Sequence, residues 1–177
     1  CFSFYPTKNL GAIGDGGAIV TNHKGFAELC RRLRNYGFKE RDAQHHWGYN
    51  SRLDELQAAV LSARLDSLDQ GNIDRLSVGE EYEAGLESVD EVCLVRGGNH
   101  HIVGILCRNR SKLKKFLERA GIQTSIHYPI PAYRQLAYQS QFDDAEDLFL
   151  AGTESWCEEV LSLPCHPHMD LNEVLYV

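Results

Sequence analysis

Apolar residues along the 177-residue chain alternate between helical and strand spacing. After Asn22, Phe26, Leu29, Cys30 and Leu33 fall at i, i+3, i+4 and i+7, with arginines late in the run and Gly37 beyond it, which predicts a helix capped by Asn22 and stopped by glycine. A second helix is predicted over 51–69. Ser51-Arg52-Leu53-Asp54 reads as a capping-box-like start, and two apolar rows, Leu53/Leu56/Val60/Ala63 and Leu61/Leu65/Leu68, imply contact on two sides. Asp69-Gln70-Gly71-Asn72 interrupts it, and a third helix carries Val78, Tyr82, Leu86 and Val89. Strands follow at Val92–Val95 and His101–Cys107 around a Gly97-Gly98-Asn99 turn, then a helix opened by Ser111 and closed by Gly121. Ile122–Tyr128 alternates as a strand does, which places His127 on the side of Gln123 and Ser125. Residues 129–144 read as a loop bearing proline and tyrosine, 145–160 as a long helix, Leu161–Pro164 as a last strand, and Asn172–Val177 as the opening of an amphipathic helix.

The segment from about residue 70 thus has its own α+β core, and 70–177 is expected to form one unit. Residues 1–69 are too thin for a domain: two short strands of buried type, Cys1–Tyr5 and Gly17–Thr21, two helices, and a polar loop at Phe38–Asn50 crowded with Gln44, His45, His46, Trp47 and Tyr49. Such strands need sheet neighbours. Because the chain also opens on an aromatic strand without an initiating methionine, it is expected to be a piece of a longer polypeptide. Composition fits a soluble globular protein, with 43% hydrophobic and 24% charged residues. Its 18 Lys and Arg against 25 Asp and Glu leave a formal charge of −7, which argues against nucleic acid as a partner. The six scattered cysteines, without a CxxC pair, read as reduced and mostly buried thiols. No apolar run approaches the roughly 20 residues of a bilayer span, so a cytoplasmic protein is expected.

Chemistry concentrates at Lys8, which ends the first strand and precedes Gly14-Asp15-Gly16-Gly17. A lysine held beside glycine-rich backbone is open to desolvation, and the neutral amine so favoured attacks carbonyls; a plain surface lysine in a turn is the competing reading. A phosphate-loop NTPase is the weaker reading, since the Gly-x4-Gly-Lys-Ser/Thr order is absent and Lys8 precedes the glycines. The pairs His45-His46 and His100-His101, and Cys165-His166 with His168, lack a second cluster to complete a tetrahedral set, so no metal site is expected.

Five segments in order resemble the DegT/DnrJ/EryC1/StrS family of sugar aminotransferases. Ser3-Phe4-Tyr5-Pro6-Thr7-Lys8-Asn9 is similar to its cofactor-lysine segment, and Gly14–Asn22 to the turn and strand that follow. Gly48-Tyr49-Asn50-Ser51-Arg52 is similar to its Gly-x-Asn-x-Arg segment, Ile126-His127-Tyr128-Pro129-Ile130-Pro131 to its His-Tyr-Pro segment, and Leu161–Pro167 to its closing Leu-Ser-Leu-Pro-x-His-Pro. The resemblance implies an α/β, pyridoxal-phosphate-dependent transferase of the type I fold. Here it would comprise an incomplete large domain with a mixed sheet (1–69) and a small C-terminal α+β domain (70–177). It places the catalytic, cofactor-bearing lysine on Lys8, the phosphate-binding hydroxyl on Ser3, and on Asn50 an asparagine that reaches the cofactor of a neighbouring subunit in a homodimer with shared sites. For Asn50 a place beside a helix N-cap is the competing role. His127 and Tyr128 fall where the family lines its sugar-nucleotide pocket, against a competing role for His127 as a half-buried, hydrogen-bonded histidine. The family's ring-pairing aspartate, its stacking aromatic residue and its main phosphate cradle precede the lysine.

Amino transfer from an amino acid, typically glutamate, to a nucleotide-linked keto-deoxysugar is the implied reaction. Lys8 argues against the branch in which histidine replaces the lysine and the product is a dehydrated sugar. The segments around Asn50 and His127 are most similar to enzymes that aminate C3 of a dTDP-3-keto-6-deoxyhexose. Tyr133 stands where that subgroup usually has histidine, which keeps a 4-keto sugar open. A non-catalytic paralogue kept for dimerisation or sugar binding is the rival reading, and the presence of both Lys8 and Ser3 counts against it.

Overall fold

In the computed structural model, which describes residues 1–139 and 149–177, the chain divides into two units, Cys1–Asp69 and Gln70–Val177. The first begins with an antiparallel ribbon, Phe2–Ser3 (β1) against Gly17–Ala18 (β2), with Phe2 opposite Ala18. Helix α1, Lys24–Leu33, starts one residue later than the sequence implies. The ring Nδ1 of His23, not Asn22, accepts the Phe26 N–H at 3.0 Å. At its far end the Gly37 N–H donates to Arg32 O at 2.8 Å with φ +78°, as a glycine after a helix allows.

The stretch expected to be an irregular loop contains a small hairpin instead, Phe38–Glu40 (β3) against Ala43–Gln44 (β4), turning at Asp42 with φ +64°. Aspartate is among the few side chains that tolerate that region. Helix α2 is Glu55–Leu65, four residues shorter at its start than expected, with Asp54 as N-cap. Ser51 lies outside the helix, its N–H given to Arg34 O at 2.9 Å in the segment before α2. Leu61 is its buried residue, whereas Leu56 and Leu65 are exposed. The strands of this unit pair as antiparallel ribbons; a mixed sheet requires neighbours from elsewhere in the fold.

Helix α3, Leu68–Leu86, runs through the predicted break at 69–72, which falls instead at Asp66–Ser67. Gln70 Nε2 donates to Asp74 Oδ1 one turn on, at 2.8 Å, and Gly71 lies against Pro167, so helical hydrogen bonding and packing offset the cost of an internal glycine. Unit two is built on an antiparallel sheet of order β5-β6-β7: Val92–Leu94 (β5), Val103–Cys107 (β6) and Val160–Leu163 (β7). Between β6 and β7 come α4 (Arg110–Arg119), a 3-10 turn at Ala132–Arg134, α5 (Leu136–Gln139) and α6 (Ala151–Glu159), and α7 (Leu171–Tyr176) follows β7. Val78 and Tyr82 of α3, Val103 and Ile105 of β6, Leu117 of α4, Leu161 and Leu163 of β7 and Val174 of α7 form one core, where each buried aliphatic side chain contributes about 1.5–3 kcal/mol. A reciprocal capping box, Asp170 with Glu173, fixes the start of α7.

The strand expected over 122–128 reduces to one antiparallel bridge, Ser125 with Ser162. Beyond it the Trp156 indole takes the His127 carbonyl, which draws the chain off the sheet. Residues 140–148, within the expected 129–144 loop and 145–160 helix, lie outside the described residues. The cysteines are free but not mostly buried: Cys107 and Cys157 are, whereas Cys1 and Cys93 are exposed. Among the described residues no helix is long and apolar enough to cross a membrane.

Candidate active site

Lys8 sits half-buried in a turn that begins where β1 ends. The Lys8 N–H donates to Tyr5 O at 2.8 Å across Pro6-Thr7, and Ala12 N–H returns to Phe4 O at 2.8 Å, so the loop closes on itself around the lysine. Gly11 makes that closure possible, since a Cβ there would run into the Pro6 carbonyl and stand 3.1 Å from Lys8 O. Ser3 Oγ accepts the Tyr5 N–H at 3.3 Å, which leaves its own O–H able to donate. Ser3 and Lys8 therefore stand on the two arms of one short, backbone-locked turn.

Two residues of α2 hold this loop from below. Arg64 Nη1 donates to Gly11 O at 2.6 Å, and Gln57 Oε1 accepts the Ile13 N–H at 3.0 Å. The sequence did not single out either, although with buried Leu61 they fall at i, i+4 and i+7 on one face of the helix.

Asn50 is exposed and belongs to a different cluster of the same unit. It bridges Asn35, its Oδ1 accepts Arg52 Nε at 3.1 Å, and Arg52 Nη1 lies 3.5 Å from Asn35 Oδ1. The Arg52 guanidinium sits 5.5 Å from the centre of the Tyr36 ring, so two amides and an aromatic face hold it. Nearby Trp47 and Tyr49 are 94% and 73% exposed, in keeping with a loop that presents aromatics outward. An open groove of about 730 Å³ runs between β1, β2 and α1, lined by Phe2, Phe4, Ile19, Val20 and Arg34 among others.

In the second unit His127 is half-buried and its Nδ1 lies 2.8 Å from the Oγ of buried Ser162. Tyr128 is 69% exposed, its ring edge-on to the His127 ring at 5.3 Å. Trp156, Arg134 and Glu154, which no sequence signal marked, support this segment together with Tyr133. Trp156 donates to His127 O at 3.3 Å, and Tyr133 and Arg134 both bond Glu154. Bonds to Tyr133 first and to Arg134 second hold the Glu154 carboxyl below the usual carboxylate range.

Among curated proteins, the chain is 43% identical over 173 residues to the erythromycin biosynthesis sensory transduction protein EryC1 of Saccharopolyspora erythraea, covering 95% of this chain and 47% of that protein. It is 40% identical over 181 residues to the dTDP-3-amino-3,4,6-trideoxy-alpha-D-glucose transaminase of Streptomyces venezuelae, covering 99% and 47% respectively. Among solved structures it matches NtdA of Bacillus subtilis, crystallised with its cofactor PMP, with a TM-score of 0.84 and 31% identity over 97% of this chain and 42% of NtdA. The chain thus spans about half the length of these relatives, and its fold is that of part of a type I pyridoxal-phosphate enzyme. With the family model matching residues 1–177 throughout, the chain belongs to the DegT/DnrJ/EryC1/StrS aminotransferase family.

Proposed function

We propose that these residues are the C-terminal half of a sugar aminotransferase subunit, 1–69 completing a large cofactor-binding domain and 70–177 forming the small domain. In this reading the subunit transfers an amino group from an amino acid, glutamate being the expected donor, to a nucleotide-linked keto-deoxysugar. The observation that carries the reading is the locked Ser3–Lys8 turn.

Pyridoxal phosphate, on which aminotransferases of this family depend, fits the donors of that turn. A primary amine able to hold the cofactor covalently and a hydroxyl able to donate to its phosphate stand five residues apart on a closed loop. When bound, the cofactor supplies a carbonyl for the amine and a ring that takes up electrons from the substrate carbon. Lys8 Nζ would hold the cofactor and, as a free amine, would be the base that moves the proton at that carbon. Gly11, Gln57 and Arg64 keep the lysine where it must act, and this orientation is worth more than any single contact. Asn50, from an exposed loop rich in aromatics, is assigned to the partner subunit's cofactor phosphate in a homodimer. His127 and Tyr128 are assigned to the wall of the sugar-nucleotide pocket, His127 being oriented through Ser162.

Similarity to a dTDP-3-amino sugar transaminase favours a dTDP-3-keto-6-deoxyhexose as acceptor. Tyr133, its hydroxyl spent on Glu154, gives the second reading, a 4-keto sugar, since the histidine usual there in the 3-amino subgroup is missing. The test is mass spectrometry of products from the full-length enzyme offered glutamate and a panel of 3-keto and 4-keto nucleotide sugars. The preferred reading expects an amino sugar from the dTDP-3-keto substrate. Amination of 4-keto substrates alone would select the second reading, and no amination of any member would refute both.

A further inference from the structure

Between Ser125 and Arg134 the chain leaves the sheet and passes along α6, and it is pinned at both ends of that path. At the first end Ser125 and Ser162 exchange backbone bonds of 3.1 and 2.7 Å, His127 Nδ1 meets Ser162 Oγ at 2.8 Å, and the Trp156 indole donates to His127 O at 3.3 Å. At the second end the Tyr133 hydroxyl donates to Glu154 Oε1, Arg134 Nε donates to the same oxygen at 2.6 Å, and Leu150 N–H donates to Tyr133 Oη at 3.3 Å. The Arg134 guanidinium also covers the Tyr133 ring, 5.6 Å from its centre. Glu154 and Trp156 lie two residues apart on α6, so one helix holds both feet of an arch.

The crown of that arch is apolar and outward-facing: Tyr128 is 69% and Ile130 49% exposed. An arch fixed at its feet with an exposed crown is preorganised, because the entropy of ordering it is spent in folding and need not be spent again on a ligand. A lone exposed Arg–Glu pair would add little. Here the Glu154 side chain is only 18% exposed, and its one oxygen gathers two donors from consecutive residues, which fixes the direction of the chain and not merely its proximity. Both side-chain bonds that Glu154 makes run to the arch, so its action on a sugar goes through those neighbours.

We propose that Glu154 is a positioning residue for substrate binding: through Tyr133 and Arg134 it holds the 127–134 arch so that Tyr128 meets the nucleotide-linked sugar in a single conformation. The proposal rests on the reading of Tyr128 as a wall of the sugar-nucleotide pocket.

Its test uses Glu154→Ala and Glu154→Gln in the full-length enzyme, with two readouts. Amide exchange of peptides covering 126–134 should accelerate about tenfold in Glu154→Ala while β6 exchanges as in the wild type, since the opening is local. In the same variant KM for the nucleotide keto-sugar should rise about tenfold with kcat within about threefold, and KM for the amino donor should stay put. Glu154→Gln, which keeps an oxygen for both donors, should fall between the two. Unchanged exchange of the arch would overturn the proposal, and so would faster exchange with an unchanged sugar KM. If β6 exchange also rises in the alanine variant, Glu154→Gln and Tyr133→Phe decide by the same criteria. Tyr128→Ala separates the underlying reading: an unchanged sugar KM in that variant removes Tyr128 from the pocket and the proposal with it, whatever the Glu154 variants do.

Discussion

At residue 11 a methyl group would collide with the Pro6 carbonyl and crowd Lys8 O at 3.1 Å, in a loop whose own carbonyl is clamped by Arg64. Neither backbone atom can retreat as a flexible side chain would. Gly11→Ala should therefore destabilise the protein by about 1–3 kcal/mol, the usual cost of overpacking. Gly85→Ala makes the control: it lies in α3 with open space around it and should gain about 0.5–1 kcal/mol from helix propensity. Denaturant midpoints of the two variants check the pair, and equal stability for Gly11→Ala and the parent would mean that the loop does not close as described. At this scale the sequence singled out Lys8 and Ser3 through their segment, and the structure sets both on one turn. The residues that hold that turn were not legible, because Gln57 and Arg64 lie 44 and 53 residues from the backbone atoms they bond, and in the second unit Glu154 lies about 20 from the donors it gathers.

Among elements, α3 and the end of β7 are joined by Tyr82, which is 4% exposed and donates its hydroxyl to Pro164 O at 3.1 Å. Burial first, and the adjacent Cys165 second, push its phenol well above the ordinary tyrosine value. A raised value in the folded state means that the neutral form is favoured there. That stabilisation is complete below the unfolded tyrosine value of about 10 and is lost as pH rises toward the folded one. The second unit should weaken above about pH 10, and Tyr82→Phe should cost about 1 kcal/mol at neutral pH while flattening part of the alkaline decline. Urea midpoints for both proteins at several pH values measure this, and an identical alkaline slope would show that Tyr82 is not responsible. Element by element, the helices with regular apolar spacing and the β5–β6 pair were readable. The β3–β4 hairpin was not, because its strands are short and polar. The strand over 122–128 was over-read, since alternation persists in a segment that meets the sheet at Ser162 alone and otherwise bonds Leu117 O and the Trp156 indole. The helix break was misplaced, because a glycine inside a helix costs only about 1 kcal/mol and local packing outweighs it.

For the molecule as a whole, the two units differ in what they finish by themselves. Gln70–Val177 encloses a continuous core around a three-stranded sheet. In Cys1–Asp69, Phe2, Ile19 and Val20 stand more than half exposed along a groove beside the strand that leads into Lys8, the pattern of a surface meant to be covered. The sequence showed this imbalance through strands of buried type without neighbours, while the residues it assigned to one site fall in two separate units. All of these assignments turn on Lys8 as the anchor of the cofactor. The most direct measurement is borohydride reduction of the full-length enzyme with pyridoxal phosphate, followed by peptide mapping of the parent and of Lys8→Ala. The expected result is a stoichiometric pyridoxyl label on the peptide that contains Lys8, absent from Lys8→Ala together with a loss of turnover of about a thousandfold or more. A label on another lysine, or an undiminished label and turnover in Lys8→Ala, would contradict the account.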